Sequence, residues 1–397
     1  MKKNLASIIT IALVIIAILF LKDFFSRTGE IGLSQMNKTF VVKGDVKIKK
    51  AEQDTGWQEM NTSVILRKGD VIETGKDSSV DILMGENANK AIKIKEKSRI
   101  EFEGINPTSL NCSNGKVLVT LKKLEPRSSF VVKTPVGICG ARSTAWSVEA
   151  VPGSAAICVF EHNVFAYGAD RAGKRRGEQF TIEENRRKVL TEDGKISEPM
   201  DIGEADNIYW KRWNKNVSYL REGKILINDF DRKEYFNNID GEFGVWNVFY
   251  GDPNQSCRDE LVESDRPEDA GYIEKLSYDV DSQFAAYNGF FTKLLNIDIS
   301  NYKYLVFYIK GDTAAGFTTS LKIELKNSKQ TGKTSLDGIT GEWKRMVIPI
   351  ESFGGINDFK AVTELVIVFA DIEVSRKEGV IYIDDIYFSK TKPADKP

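Results

Sequence analysis

The chain almost lacks histidine, with a single residue, His162, among 397. Ser-His-Asp and Cys-His catalysis both need a histidine as the base, and many zinc sites use histidine ligands. Residues 159–164 read as strand, turn and strand, so His162 is interpreted as a solvated turn residue. The composition therefore argues against histidine-dependent hydrolysis and against histidine-rich zinc sites.

Cysteine is scarce as well. The four cysteines are Cys112, Cys139, Cys158 and Cys257, and no two of them form a Cys-x-x-Cys pair. A zinc ribbon or a dithiol redox motif is therefore not expected. A disulfide among the first three and a set of unpaired buried thiols both remain open.

Neither sign of charge is in excess, since 56 Lys and Arg stand against 57 Asp and Glu for a net charge of −1. Proteins that bind nucleic acids usually show a marked basic excess. We therefore expect no nucleic-acid partner.

One long apolar run is present, at residues 5–21, and it contains no charged residue. As a helix it would reach about 26 Å, the short end of a membrane span. Lys2 and Lys3 precede it, which keeps the N-terminus in the cytoplasm. The sequence predicts a cytoplasmic stub (1–4), a transmembrane anchor (5–21) and a linker (22–38). A cleaved signal peptide is the alternative, but no Ala-x-Ala pattern follows the run.

Short alternating stretches separated by glycine turns fill residues 39–200, and Val117, Val119 and Leu121 are one example. A period of two marks a half-buried strand. Asn114-Gly115, between apolar stretches, predicts a hairpin turn. The pattern predicts an antiparallel all-β domain over 39–200. Apolar residues at spacings of three and four then predict a connecting helix over 201–224.

This first domain resembles the FecR-type domain in the order and spacing of its motifs. The residues that carry the resemblance are 42–46, Trp57, 66–80, 114–117 and 130–135. Residues 142–148 correspond to the Arg-Gly-Thr-aromatic segment of the family, with Ser143 where glycine is usual. Arg142 is a candidate for a buried or partner-facing role.

FecR proteins relay a periplasmic signal to a cytoplasmic sigma factor, so the resemblance implies a single-pass protein of the bacterial inner membrane with its bulk in the periplasm. Residues 1–4 are too few for an interface of ordinary size, near 800 Å² per partner. Direct control of a sigma factor would then need a partner subunit.

The period of two resumes over residues 225–390, ahead of a short tail (391–397). The order of its segments, from 227–231 to 381–388, resembles the galactose-binding-like jelly rolls of carbohydrate-binding modules. The resemblance implies a β-sandwich whose first and last strands are adjacent. The expected architecture is thus mainly β: a transmembrane helix, a FecR-like domain, a connecting helix and a jelly-roll β-sandwich. The FecR-like domain and the β-sandwich are expected to fold independently of each other.

Adjacent first and last strands would bring four carboxylates together. They belong to Asp229, Asp231, Asp384 and Asp385. Clustered carboxylates repel unless a cation or a basic residue lies among them, and calcium prefers oxygen ligands. Relatives often hold a structural calcium, so a calcium site is predicted here. The alternative is a set of hydrogen-bonded turn aspartates.

Sugar recognition needs exposed aromatic rings flanked by polar groups. The candidates for a ligand face are Trp246, Tyr250, Tyr287 and Phe290, whereas Trp343 is interpreted as a core residue. These features predict a membrane-anchored, outward-facing binding or sensing protein without enzymatic activity. Its module would bind a polysaccharide or another component of the cell envelope, including an envelope protein.

Two other functions are considered. The first is a FecR-type regulator of transmembrane signalling that acts through a partner subunit. The second is a glycoside hydrolase, which needs only two suitably spaced carboxylates. Glu260, Glu263 and Asp265 lie close in the sequence, but in a charged stretch that is interpreted as a loop. No room remains for a catalytic domain beside the two β domains, so the hydrolase is disfavoured.

Overall fold

The computed structural model describes residues 35–394 except 54–55, 62, 87, 123–128, 171–172, 249–254 and 268–270. The stub, the anchor and most of the linker predicted above lie outside the described residues, as do Tyr250 and residues 395–397. Among the described residues, no helix is both long enough and apolar enough to cross a membrane.

The N-terminal domain is built from strands, as predicted. Its described strands are β1 (Gln35–Lys43), β2 (Val46–Lys49), β3 (Trp57–Glu59), β4 (Val71–Thr74), β5 (Ser79–Glu86), β6 (Lys90–Ile94), β7 (Arg99–Gly104), β8 (Thr108–Leu121), β9 (Phe130–Lys133), β10 (Gly137–Ala141), β11 (Ala145–Val151), β12 (Ser154–Glu161), β13 (Val164–Ala169), β14 (Arg175–Ile182), β15 (Arg186–Thr191) and β16 (Met200–Asp201). Neighbouring strands along the main part of its sheet follow the order β14-β13-β10-β9-β8-β11-β12-β15-β16. Between the described strands, only β8 and β9 pair in parallel.

Strand β8 corrects the predicted hairpin. Asn114 and Gly115 lie inside this single strand rather than between two strands. Before them β8 pairs with β7, and after them it pairs with β6 and β11. Gly115 has a φ of +91°, so the dipeptide bends the strand from one set of partners to the next.

The predicted connecting helix is present as α1 (Glu204–Arg221). Glu204 and Asp206 in its first turn and Arg221 in its last turn complement the helix dipole. Its buried face carries Trp210 and Trp213. This face packs on both domains, and the Trp210 ring stacks on Phe160 of β12 with ring centroids 5.1 Å apart.

The C-terminal domain is a β-sandwich, as predicted. One sheet has the order β18-β21-β26-β23-β24, and the other has the order β19-β20-β27-β22-β25 with β17 also paired to β27. The strands are β17 (Lys224–Asn228), β18 (Phe243–Asn247), β19 (Ser256–Glu263), β20 (Tyr272–Asp279), β21 (Tyr287–Ile297), β22 (Tyr304–Gly311), β23 (Ser320–Asn327), β24 (Thr331–Asp337), β25 (Lys344–Pro349), β26 (Val362–Ala370) and β27 (Glu378–Ser389).

The first and last strands of the sandwich are neighbours. In the antiparallel pair of β17 and β27, Lys224 lies opposite Ser389 and Ile225 opposite Phe388. This adjacency is the one that the sequence predicts. Close to this pair, the ring of Tyr387 in β27 lies against that of Tyr219 in α1, with centroids 6.0 Å apart.

The hydrophobic core of the sandwich is continuous with one face of the N-terminal domain. Buried side chains of the sandwich, such as Leu305 and Ile367, belong to the same cluster as Trp213 of α1 and Phe40 and Leu118 of the N-terminal domain. A second cluster fills the rest of the N-terminal domain. The two domains therefore share a packed interface, with α1 between them.

Candidate functional site

A groove with a volume of about 730 Å³ crosses the outer face of the five-stranded sheet. Its floor follows from the strand register. Trp246 lies opposite Gly289, Gly289 opposite Val368, and Val368 opposite Lys322. These four residues form one row across four strands. The row changes from aromatic to apolar to charged.

The aromatic end of the groove is formed by Trp246 and Tyr287. Their ring centroids are 5.9 Å apart and their planes meet at 59°. Trp246 packs partly on the apolar strip of Val366 and Val368, while Tyr287 is 37% exposed. The two rings thus present a tilted aromatic surface to solvent.

Gly289 keeps the floor beside Trp246 open. A Cβ atom at this position would lie 2.0 Å from the carbonyl oxygen of Ile367 on the neighbouring strand. Any other residue would push β21 away from β26. The position therefore has no side chain to cover the floor between Trp246 and Val368.

The other end of the groove carries paired charges. Glu364 binds Lys293 and Lys326, the latter with an Nζ–Oε1 distance of 2.9 Å. Glu324 is shared among Lys322, Lys326 and Lys333 at 3.6, 3.9 and 3.8 Å. Glu373 lies 3.5 Å from Lys322.

The carboxylate of Glu364 stays charged in this setting. Burial acts to raise its pKa, but the hydrogen bonds from Lys293 and Lys326 outweigh burial and hold the pKa below its ordinary value. Charged donors and acceptors form stronger hydrogen bonds than neutral ones. This end of the groove can therefore bind hydroxyl or carboxylate groups of a ligand.

The structure brings Trp246 and Tyr287 of the predicted ligand face together and removes Phe290 from it. Phe290 is fully buried between the sheets and contacts the rings of Phe230 and Phe243. The reason is the period of two, because residues three apart on one strand point to opposite faces. Phe291, which the sequence reading missed, lines the groove instead.

The four predicted calcium ligands lie near one another but among basic side chains. Lys215 of α1 binds Asp229 and Asp231 at 2.7 and 2.6 Å. Arg266 binds Asp384 and Asp385 at 2.8 and 2.5 Å.

These pairs occupy carboxylate oxygens that a calcium ion would need. Burial acts to raise the pKa of Asp229, but Lys215 outweighs it and lowers that pKa. In the described part of the chain, no group of three or more His, Cys, Asp or Glu side chains could hold a metal ion. Lys215 and Arg266 balance the carboxylates, and the calcium site stays a prediction.

The remaining candidate residues are engaged elsewhere. Trp343, interpreted as core, is half-buried at the surface, and its Nε1–H donates to Asp265 Oδ1 at 2.9 Å. Glu260 and Glu263 lie in strand β19 rather than in a loop. Arg142 is exposed at the end of β10. All four cysteines are free and buried, which settles the question of pairing left open by the sequence.

Two family models match separate parts of the chain. The model described as "FecR protein" matches residues 70–165, and the model described as "Carbohydrate binding domain 30" matches residues 250–390. Neither is a catalytic family. No curated protein matches the chain.

Solved structures similar to the chain include a family 11 carbohydrate-binding module of a cellulosomal cellulase from Clostridium thermocellum, with 16% identity over 44% of this chain and 98% of that one and a TM-score of 0.34. They also include a proposed anti-sigma factor from Parabacteroides distasonis, with 11% identity over 40% of this chain and 68% of that one and a TM-score of 0.28. On the two model matches, the chain combines a FecR-type domain with a β-sandwich of the carbohydrate-binding-module type.

Proposed function

We propose that this chain is a membrane-anchored, outward-facing and non-enzymatic sensing protein of the bacterial cell envelope, and that its C-terminal sandwich binds a polysaccharide. The observation that carries the proposal is the groove on the five-stranded sheet. There, Trp246 and Tyr287 stand beside paired Lys and Glu side chains. The match to a carbohydrate-binding family over residues 250–390 supports it.

The groove has the two features that sugar binding requires. The apolar face of a sugar ring can pack on an aromatic ring, which contributes dispersion and buries apolar area. The hydroxyl groups need directional donors and acceptors, which the Lys–Glu pairs of the floor supply. A surface that was only apolar would favour a lipid or a protein helix instead.

The FecR match favours a second element of the proposal. We infer that the N-terminal domain passes the state of the sandwich to a partner subunit of the envelope, as in transmembrane signalling. The run at residues 5–21 supports a single-pass inner-membrane location with the bulk in the periplasm. A reporter fused after Pro397 should then be active only outside the cytoplasm, and cytoplasmic activity would contradict this location.

The binding proposal is tested on the full chain with an array of soluble polysaccharides. Trp246→Ala and Tyr287→Ala should each weaken binding about tenfold, because each removes an aromatic contact worth about 1 kcal/mol in addition to buried area. Trp343→Ala is the matched control. It removes a half-buried surface ring that directly precedes β25 of the other sheet, and it should leave the affinity unchanged. No binding to any polysaccharide, or equal loss in the control, would overturn the proposal.

A further inference from the structure

The charged end of the groove is not only polar but also holds unequal numbers of positive and negative side chains. We define the charged face as Lys293, Lys322, Lys326 and Lys333 together with Glu324, Glu364 and Glu373. These residues come from β21, β23, β24 and β26 and from the loop after β26. The lysines outnumber the glutamates, so the face has a positive excess.

The two signs of charge also lie at different depths. The side chains of Glu324 and Glu364 are only 12% and 15% exposed, whereas Lys293 and Lys333 are 45% and 57% exposed. The order is reversed in one pair, where Lys322 is 19% exposed and Glu373 is 35% exposed. A ligand that approaches over Lys293 and Lys333 therefore meets positive charge first.

The lysines keep binding capacity after their internal contacts. Each ammonium group has three N–H donors. Within the described part of the chain, the ammonium group of Lys333 has one ion pair, at 3.8 Å to Glu324, and the side chain is more than half exposed to solvent. Asp371 also lines the groove, but it follows Ala370, which lies opposite Tyr287 at the aromatic end. The groove as a whole thus carries four lysines and four acidic residues, and the excess of one positive charge is confined to the charged face.

We propose that the polysaccharide bound in this groove is acidic, with ring carboxylates placed over the charged face while a neighbouring ring stacks on Trp246 and Tyr287. The proposal rests on the sugar-binding function proposed above and narrows its ligand class. A neutral chain would displace water from the exposed ammonium groups of Lys293 and Lys333 and offer only neutral acceptors in its place, which is less favourable than a charged acceptor. A chain of uronate rings supplies that counter-charge.

The size of the face fits an extended chain. The groove runs from β18 to β24 across five strands, and adjacent strands are about 4.8 Å apart, so the row measures about 19 Å. This is enough for several sugar rings. A single chain can therefore touch both the aromatic pair and the charged face.

The test compares two ligands that differ only in charge: a soluble β-glucan and the same glucan oxidised at C6 to carboxylates. The full chain should bind the oxidised glucan about tenfold more tightly, since a few exposed ion pairs each contribute a fraction of a kcal/mol. This preference should shrink as salt is raised from about 0.05 M to about 0.5 M, because exposed charges are screened.

Variants assign the preference to the charged face. Lys333→Gln and Lys293→Gln should each lower the affinity ratio of oxidised to neutral glucan, and Glu373→Gln should raise it. Lys329→Gln is the matched control, because Lys329 is exposed in the turn between β23 and β24 and does not line the groove. It should leave the ratio unchanged.

The outcomes separate the two proposals. Equal affinity for the neutral and oxidised glucans, with Trp246→Ala weakening both, overturns the acidic ligand and leaves the sugar-binding function in place. A preference that the lysine variants do not alter also overturns the charged face as its cause. Failure to bind either glucan or any other polysaccharide overturns both proposals.

Discussion

Glu274 of β20 is a carboxyl group placed inside the sandwich. It lies opposite Ile383 on β27, on the core-facing side, and neither of its carboxyl oxygens has a hydrogen-bond partner among the residues that the structure describes. Burial, with a smaller contribution from the carboxylate of Asp259, raises the pKa of Glu274 well above its ordinary value. The residue is therefore protonated in the folded chain over a pH range in which it is ionised in the unfolded chain.

This shift predicts a pH dependence of stability. Because the folded state holds the proton more tightly, the free energy of unfolding should fall as pH rises from about 4.5 towards the folded pKa, by at most about 1.4 kcal/mol per pH unit. Glu274→Gln removes the ionisable group and should flatten this fall, as measured by urea unfolding at pH 5 and pH 8. Glu260→Gln, at an exposed site on β19, is the control and should leave the slope unchanged. If the slope is unchanged in Glu274→Gln, the carboxyl group of Glu274 does not cause the pH dependence of the free energy of unfolding.

At the scale of single residues, the sequence identifies some of the side chains that line the candidate groove. Trp246 and Tyr287 are identifiable as exposed aromatics near strand ends, and the structure places both at the groove. Phe290 and Phe291 differ by one position, and only the phase of the period of two decides which faces the core. That phase depends on the pairing of β21 with β18 and β26, and the pairing is a long-range property. The lysine–glutamate face could not be read from the sequence for the same reason.

Strand β8 shows how much of an element's structure a short sequence motif can predict. Asn-Gly between apolar stretches usually marks a hairpin, because both residues tolerate a positive φ. Here the second stretch finds partners on both sides, β6 and β11, so the chain continues as a bent strand. The conformational preference of Gly115 was predictable, whereas the choice between a turn and a bend depends on strands that are distant in the sequence.

Gly115 should be sensitive to substitution for two separable reasons. Its φ is +91°, and a Cβ atom would lie 2.1 Å from Ser98 Oγ and 2.4 Å from Ser98 Cα. Gly194 has a φ of +81° with no atom within 4 Å of its Cβ position. Gly194→Ala therefore measures only the free energy that is lost when alanine adopts a positive φ, about 1 kcal/mol. Gly115→Ala should lower the free energy of unfolding by clearly more. Equal losses in the two variants would show that β8 moves away from Ser98 freely.

The whole molecule is joined by a buried ion cluster at the contact between its domains. Lys93 of β6 has its Nζ 3.0 Å from Asp81 Oδ2 and 2.8 Å from Asp240 Oδ2. Asp81 belongs to the N-terminal domain, and Asp240 precedes β18 of the sandwich. Trp213 of α1 donates its Nε1–H to Asp81 at 2.8 Å. Domain order was predictable from the sequence, but this contact was not, because its charges lie about 150 residues apart in the chain.

The shared interface predicts that the two domains unfold together rather than separately. Lys93→Met removes the cation between two buried carboxylates and should lower the stability of the whole chain by about 3 kcal/mol. Calorimetry should show one transition that moves down as a unit, with the same midpoint for probes in each domain.

Lys90→Met is the matched control on the same strand. Lys90 is buried, has a pKa lowered by burial and, among the described residues, donates its side-chain hydrogen bond to Thr108 of its own domain, so its loss should cost little. Two transitions, with only the N-terminal one moved by Lys93→Met, would show that the domains unfold independently and that the ion cluster does not couple the groove to the FecR-type domain.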